Sequence, residues 1–281
     1  MPELPEVITT VKSLKKIKGV IIKDVFTDTF DIFKNFDYFR ENIKNKKILD
    51  VFNRGKYIIF KLSEGFFWIL HQKLTGHLLL GKWKIENGKI FPLINGPIKD
   101  DPKNLFIRAI FFLDFPLDLG LCDVRKFSKN LIGKEDILKK IKEDIGPDVL
   151  SIDFDYFYKC ILKKKRIKEI LMEQSCFSGV GNIYSDEVLW ESKINPNTLG
   201  INLNEKLAKV LFENIKKILK EAIKLKGISI SDYRLLDGKI GLYGFYRRVY
   251  KMKKCKRCNS EIKVIKIKQR SSYFCPICQI Y

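Results

Sequence analysis

The sequence predicts a multidomain α+β fold: an N-terminal helix leading into a β-sandwich or barrel, a helical second half, and a C-terminal metal-stapled β-hairpin. Three observations carry this. Short apolar segments between residues 20 and 130 are punctuated by Gly, Asn and Pro, the signature of many short strands. After Gly146-Pro-Asp148 the apolar spacing becomes helical. The chain then closes on two Cys-x-x-Cys pairs flanking a basic, alternating segment. A length of 281 residues suits about two domains. A hydrophobic fraction of 46% supplies enough apolar side chain for packed cores, which excludes disorder over most of the chain.

In chain order, Val7, Val11, Leu14 and Ile17 recur at helical spacing over residues 3–18, and Pro5 sits in the first turn, where proline is tolerated. Strand-like segments follow at Val20–Ile22, Ile48–Phe52, Tyr57–Leu62, Phe66–Leu70, His77–Leu80 and Phe106–Leu113. Ile137–Ile145 reads as a short helix, and Gly146-Pro-Asp148 then breaks the chain at the domain boundary. Helical spacing returns at Phe154–Leu162 and Ile167–Gln174. Asn182–Ser192 follows a Gly-Val-Gly turn, and Asn202 with Glu205 suggests a capping box for a long helix through Leu225.

The net charge is +21, from 54 Lys and Arg against 33 Asp and Glu. Such a balance suits a polyanionic partner, usually nucleic acid. Only 10 of the 54 are Arg, so part of the excess reads as lysine-rich composition with no specific partner. The longest apolar runs, such as Phe66–Leu70, are far too short to span a bilayer. The acidic, proline-bearing N-terminus is unlike a secretory signal. A cytoplasmic protein is expected, nucleoid-associated if bacterial, with no membrane partner.

Seven cysteines, three of them scattered, argue against a disulfide framework. Cys255 and Cys258 are separated from Cys275 and Cys278 by sixteen residues. Thiolates two residues apart grip one metal from a tight turn, and two such knuckles complete a tetrahedron for one Zn²⁺. Four sulfurs close the coordination shell, so the zinc is structural. His71 and His77 are the only histidines, which excludes a histidine-rich catalytic metal site. Between the knuckles, Ile262, Val264 and Ile267 alternate or nearly alternate with lysine, as in a hairpin with one basic face. That face suits a DNA backbone or, equally, plain solvent.

Met1-Pro-Glu-Leu-Pro-Glu-Val7 opens the chain. Two prolines and two glutamates suit the start of a helix, where the dipole favours acids. Removal of Met1 would free the secondary amine of Pro2. An α-amino group with a pKa near 8 is partly neutral at pH 7. Such an amine can attack a sugar C1′ and form an iminium ion, with the Glu3 carboxylate beside it for proton transfer.

This segment closely resembles the start of the formamidopyrimidine-DNA glycosylases, bifunctional base-excision-repair enzymes that remove oxidised purines. The resemblance runs through Asn53-Arg-Gly-Lys56-Tyr, Asp123-Val-Arg-Lys-Phe127, Gly146-Pro-Asp148, Ser178-Gly-Val-Gly-Asn-Ile-Tyr184, and Gln269-Arg270 with the four cysteines. It implies an N-terminal catalytic β-sandwich domain over 1–135, a linker over 136–152, a helix–two-turn–helix domain over 153–244 and a zinc finger over 245–281. It implies attack by Pro2, acid–base work by Glu3, a phosphate contact and proton transfer by Lys56, and a phosphate grip by Arg270. Base excision would be followed by β- and δ-elimination. Leu74, Arg125 and Phe127 occupy its wedge positions, Asn104 and Lys165 positions facing DNA, and Asn182 the glycine-flanked helix start that offers amides to the backbone. The implied partner is duplex DNA with oxidised bases or abasic sites, bound by a monomer.

The chain departs from the family in places. His71-Gln-Lys-Leu-Thr-Gly76 stands where His-Leu-Gly-Met-Ser-Gly is usual, so the wedge methionine becomes Leu74 and a glycine becomes Lys73, with a change in the local turn expected. The histidines usual before the strand at Phe106 are absent, leaving Asn104 as their replacement. Ser229–Tyr233 is a candidate flexible lesion loop. Two rival readings are an endonuclease VIII-like glycosylase for oxidised pyrimidines and a non-catalytic zinc-ribbon DNA-binding protein. Retention of the Arg125/Phe127 pair and of Pro2-Glu3-Leu4 favours the oxidised-purine enzyme.

Overall fold

The structure, a computed structural model, describes residues 2–281. The chain divides into two compact units. One comprises Met1–Glu143 with Leu225–Gly244, the other Asp144–Lys224 with Phe245–Tyr281.

The first unit opens with α1 (Leu4–Leu14), followed by β1 (Ile21–Thr27), α2 (Phe36–Ile43), β2 (Lys46–Arg54), β3 (Tyr57–Leu62), β4 (Phe67–His71) and β5 (His77–Gly81). A small hairpin, β6 (Trp83–Glu86) and β7 (Lys89–Pro92), leads through the short α3 (Pro97–Asp100) to β8 (Ile107–Leu113), β9 (Asp118–Cys122), β10 (Lys129–Gly133) and α4 (Glu135–Asp144). Eight strands connect in the order β10-β4-β3-β2-β1-β8-β9-β5, with every pairing antiparallel. β1 and β2 share only two register pairs, Ile21 with Lys47 and Ile22 with Lys46, so the sheet turns a corner there. Its halves fold face to face. Trp68 on β4 stacks on Phe60 at 4.1 Å and meets Phe111 on β8 at 4.2 Å, although β4 and β8 are not neighbours in the sheet. The buried indole N–H donates to Asn130 Oδ1 at 3.0 Å, so this core carries no polar penalty at its centre. Inward residues of β2, β3 and β8 (Val51, Ile58, Phe60, Ala109, Phe111) join Val7, Val11 and Leu14 of α1 in one cluster.

The second unit carries α5 (Phe154–Ile161), α6 (Ile167–Leu171), α7 (Asn182–Glu191) and α8 (Glu205–Lys224). After α9 (Tyr243–Tyr246) it ends in β11 (Lys263–Ile267) and β12 (Arg270–Phe274), a hairpin in register from Lys263–Phe274 to Ile267–Arg270. The sequence spacing predicts a stripe of Leu207, Val210, Leu211, Ile218, Leu219 and Ala222 on α8. The buried face holds the last four with Ala208, Phe212 and Ile215, while Leu207 is half-buried and Val210 exposed. Its cap differs from expectation. Asn204 Oδ1 accepts from Leu207 N–H at 2.9 Å, while Asn202 ends a preceding 3-10 turn.

Residues 225–244 depart from the sequence expectation, which grouped them with the helical domain. They pack with the first unit because Leu236 enters the sandwich core and its carbonyl accepts from Leu80 N–H at 2.8 Å. Four strands escaped the sequence reading: the hairpin β6 and β7, and β9 and β10, the last two in a region where Pro116 and Gly120 interrupt the apolar pattern. No helix among the described residues is long and apolar enough to cross a membrane.

Candidate functional site

In the first unit, Glu3 is the N-cap of α1. Glu3 N–H donates to Glu6 Oε2 at 2.8 Å, and the Glu3 side chain accepts from the Glu6 backbone, a reciprocal capping box. Both glutamates are almost wholly buried, and Pro2 is buried beside them. The start of the chain is therefore fixed by its own first turn. α1 packs on β2 and β3, the hairpin whose tip carries Lys56. Lys56 is itself buried, and its charge acts on His71. Burial, with Lys73 and Lys56 nearby, pushes the His71 imidazole down to about 3, so it is neutral at physiological pH. Its Nδ1 accepts from Lys73 N–H at 3.0 Å, which places the ring proton on Nε2.

The residues expected to act as wedges lie on two loops that are laced together. Leu74 is exposed on the turn after β4, where Gly76 N–H donates to Gln72 O at 3.0 Å. A Cβ at Gly76 would sit 2.5 Å from that carbonyl oxygen, so this turn requires glycine. Lys73, where the resemblance implies a change in the local turn, takes the left-handed conformation at φ 51°. Arg125 and Phe127 lie between β9 and β10, with the guanidinium 4.9 Å from the Phe127 ring centre. Phe127 is 44% exposed, far from a core aromatic. The fully buried Asp123 ties the loops together. It accepts from Thr75 Oγ1, from Arg125 N–H at 3.3 Å and from Ser128 N–H at 2.8 Å, and Thr75 Oγ1 also accepts from Arg125 N–H at 3.1 Å. Three protruding side chains thus share one buried carboxylate as foundation.

Asn104 requires a correction. It was expected to face DNA, but it is 1% exposed and its amide is fully occupied. Its Nδ2 donates to Pro97 O at 2.8 Å and to Gly238 O at 3.0 Å, and its Oδ1 accepts from the buried His77 Nε2 at 3.0 Å. Burial holds His77 neutral. Asn104 therefore positions the returning segment. That segment is also held by Ile228 N–H donating to Glu6 Oε1 at 2.8 Å, by Tyr233 Oη donating to Glu6 O at 3.3 Å, and by Arg234 pairing with Asp101. A Cβ at Gly227, whose φ is +78°, would sit 2.6 Å from Glu6 Oε1. The expected lesion loop Ser229–Tyr233 is thus anchored at Tyr233 and, through the pairing of Asp232 with Lys103 at 3.1 Å, at Asp232, while Ile230 and Ser231 are exposed.

In the second unit, Lys165 is exposed and shares Glu173 with Lys163, at 3.3 and 3.2 Å. Asn182 opens α7 after Gly181, and its Oδ1 is buried without a hydrogen-bond partner. Arg270 is exposed at the first position of β12. The turn before it, Lys268-Gln269, has φ 43° and 61°, as a two-residue type I′ hairpin requires. The hairpin is held by α7. Asp186 accepts from Ser272 Oγ at 2.8 Å and Tyr273 N–H at 3.1 Å, and from Lys168 Nζ at 2.6 Å in a wholly buried ion pair. Burial pushes the Asp186 carboxyl up and the Lys168 charge opposes it. Glu187 accepts from the N–H groups of Arg248, Val249 and Tyr250 at 2.8, 3.0 and 2.8 Å.

The four cysteine sulfurs lie within 4.8 Å of one another. Cys255–Cys278 and Cys258–Cys275 are 3.9 and 3.5 Å apart. Tetrahedral Zn–S bonds of about 2.3 Å put sulfurs about 3.8 Å apart, so the cluster fits one zinc. Trp190 Nε1 and Arg257 N–H donate to Cys255 Sγ at 3.3 and 3.4 Å, the outer hydrogen bonds expected of ligating thiolates. Arg257 also lies 3.9 Å over the Trp190 ring.

Comparison with known proteins matches three descriptions along the chain. These are "Formamidopyrimidine-DNA glycosylase N-terminal domain" at residues 1–130, "Formamidopyrimidine-DNA glycosylase H2TH domain" at 145–234, and "Zinc finger found in FPG and IleRS" at 253–280. The formamidopyrimidine-DNA glycosylase of Mycoplasmopsis pulmonis is 35% identical over 99% of this chain and 98% of its own length, and that of Lactococcus lactis is 35% identical over 99% of each. The chain belongs to the formamidopyrimidine-DNA glycosylase family. A crystal structure of Lactococcus lactis Fpg with abasic-site-containing DNA superposes with a TM-score of 0.85 at 33% identity, covering 99% of this chain and 100% of that one. The same enzyme with Fapy-dG-containing DNA gives 0.84 at 32%, with the same coverage. The chain is thus a DNA glycosylase with one structural zinc.

Within this glycosylase, sequence reasoning missed the residues that support the site: Glu6, Thr75, Asp123, Asp186 and Glu187. A faint signal existed. Asp186 and Glu187 are adjacent acids in a helix whose residues 184–190 are all buried, and buried acids are rare unless paired.

Proposed function

We propose that the chain excises oxidised purines such as 8-oxoguanine and formamidopyrimidines from duplex DNA, working as a cytoplasmic monomer, and then cleaves the abasic strand by β,δ-elimination. The observation that carries this reading is the buried Pro2-Glu3 start of α1, locked by the Glu3–Glu6 capping box and packed on the hairpin bearing Lys56.

With Met1 removed, the Pro2 amine attacks C1′ of the extruded nucleotide. The C1′–base bond breaks and the base leaves with a proton; the C1′–O4′ bond then opens, O4′ taking a proton, and an iminium joins Pro2 to the sugar. Glu3 transfers protons at the opened sugar, held by the cap rather than by a mobile loop. A base cannot be cut inside the stack, and extruding it costs a few kcal/mol. Leu74, Phe127 and Arg125 fill the vacated space. Lys56 and Arg270 hold phosphates near the lesion and Lys165 adds backbone attraction, while Asn182 presents helix-start amides. The iminium acidifies the C2′ protons, so the 3′-phosphate is eliminated first and the 5′-phosphate second.

Borohydride reduces the iminium to a stable amine, so trapping tests the reading directly. A covalent adduct is expected with an 8-oxoguanine duplex, its mass placing the sugar on Pro2. An adduct only with oxidised-pyrimidine duplexes would assign the endonuclease VIII type of specificity. No adduct with either, or a retained Met1 in the mass spectrum, would leave a non-catalytic DNA-binding protein.

A further inference from the structure

Three cysteines do not belong to the zinc cluster: Cys122, Cys160 and Cys176. Cys122 is buried and donates its S–H to Lys103 O at 3.0 Å, which leaves it inert packing. Cys160 and Cys176 are sixteen residues apart in sequence but face one another in the second unit. The geometry has three parts. Tyr156 and Cys160 are four residues apart on α5 and share one face. Tyr156 Oη donates to the Cys176 carbonyl at 2.9 Å, which holds Cys176 over that face. Lys163 Nζ then lies 3.3 Å from Cys176 Sγ and 3.2 Å from Glu173 Oε2, so the lysine points inward at the sulfur.

We propose that Cys160 and Cys176 form a peroxide-responsive dithiol, with Cys176 as the attacking sulfur, Lys163 as its activating cation and Cys160 as the resolving thiol. Cysteines with a cationic neighbour and partial exposure are the ones that react with oxidants, and thiolates rather than thiols attack. Cys176 has both features, being half-buried beside Lys163. Burial works against the Lys163 charge, but its bonds to Cys176 and Glu173 outweigh this and raise its pKa. Cys160 is the opposite kind of thiol. Burial first, then the Cys176 contact, push it up to about 12, so it stays protonated and shielded. The steps balance. The Cys176 thiolate attacks hydrogen peroxide, the O–O bond breaks, and sulfenic acid and hydroxide form. Cys160 sulfur then displaces the sulfenic oxygen, its proton passing to the departing hydroxide. Two thiols and one peroxide give one disulfide and two waters.

The position gives the bond a consequence. Cys176 lies in the turn between α6 and α7, where Gln174 O accepts from Gly146 N–H at 2.9 Å and the Gln174 side chain accepts from Gly179 N–H at 3.0 Å. A Cys160–Cys176 bond would tie this turn to α5.

The test uses the zinc-loaded full chain. Protein is exposed to hydrogen peroxide, free thiols are alkylated, and peptides are mapped without reduction. The expected product is a Cys160–Cys176 cross-linked peptide that dithiothreitol reverses. In Cys160→Ser, and in Cys160→Ala as a folding check, dimedone should label Cys176 and the cross-link should vanish. Lys163→Met should slow cross-linking about tenfold. The proposal is overturned if both thiols remain fully alkylatable after a dose that oxidises free cysteine, or if Cys176 pairs with a zinc ligand instead. An unchanged rate in Lys163→Met would overturn the role of the lysine.

Discussion

The two units present their functional groups by opposite means. In the first, Glu3 and Lys56 are buried and stand on a large core in which Trp68, Phe60 and Phe111 stack directly. In the second, Arg270 is exposed on a two-stranded hairpin whose local core is Trp190, Val249, Cys255, Ile262 and Cys275. A core that small cannot fix a strand alone. The metal and the buried acids Asp186 and Glu187 supply what is missing. The groups proposed for proton chemistry are held by apolar packing and a helix cap, whereas the arginine proposed to grip phosphate is held by a cation and charges. The first arrangement should stand without metal, and the second should depend on it.

Metal removal should expose this contrast most strongly. Chelation is expected to abolish hydrogen-exchange protection in Lys263–Phe274 while that of Tyr57–Leu62 and Ile107–Leu113 persists. Equal loss in both would break the comparison. Next comes the buried pair. Lys168→Met alone should cost about 3–5 kcal/mol in denaturant unfolding, because it strands the Asp186 charge. Lys168→Met with Asp186→Leu should recover much of that cost yet leave Ser272 and Tyr273 unanchored, so excision should stay impaired after stability returns. In the first unit, Asn104→Ala should cost about 1–3 kcal/mol, since it strands His77 Nε2–H and the Gly238 carbonyl. The salt dependence of DNA binding should not change, and a flatter slope would return Asn104 to the DNA surface. The smallest effect lies at the rim. Arg40 beside Asp24 holds that carboxyl down at about 2, against an ordinary 3.8. The folded state resists protonation, so the stabilisation is complete above about pH 4 and is lost as pH falls toward 2. Asp24→Asn should be less stable by at most about 1 kcal/mol at pH 7 and equal to the parent near pH 2.

What was legible in the sequence was local. The cysteine spacing declared a zinc site because both knuckles are short turns whose ligands lie two residues apart. The α8 stripe declared a helix because burial there repeats with the helical period. What was not legible depends on partners distant in the chain. Asn104 read as an exposed loop residue, because the groups that bury it, His77 and Gly238, lie 27 and 134 positions away. Asp123 read as part of a DNA-contacting loop, and its bond to Thr75 crosses 48 residues. Asn202, three residues before Glu205, fits the capping-box spacing, but the cap is Asn204, which only the backbone geometry reveals.

The return of residues 225–244 to the first unit has a consequence during synthesis. Leu236 completes the sandwich core, and Ile228 and Tyr233 complete the surroundings of Glu6. A chain emerging from the ribosome therefore makes all ten sandwich-unit strands and then the whole of α5 to α8 before the piece that closes the first core becomes available. The nascent sandwich waits with an open seam for about 80 residues of translation, several seconds at ordinary elongation rates. That interval, set by topology alone, is where this chain is most exposed to misassembly.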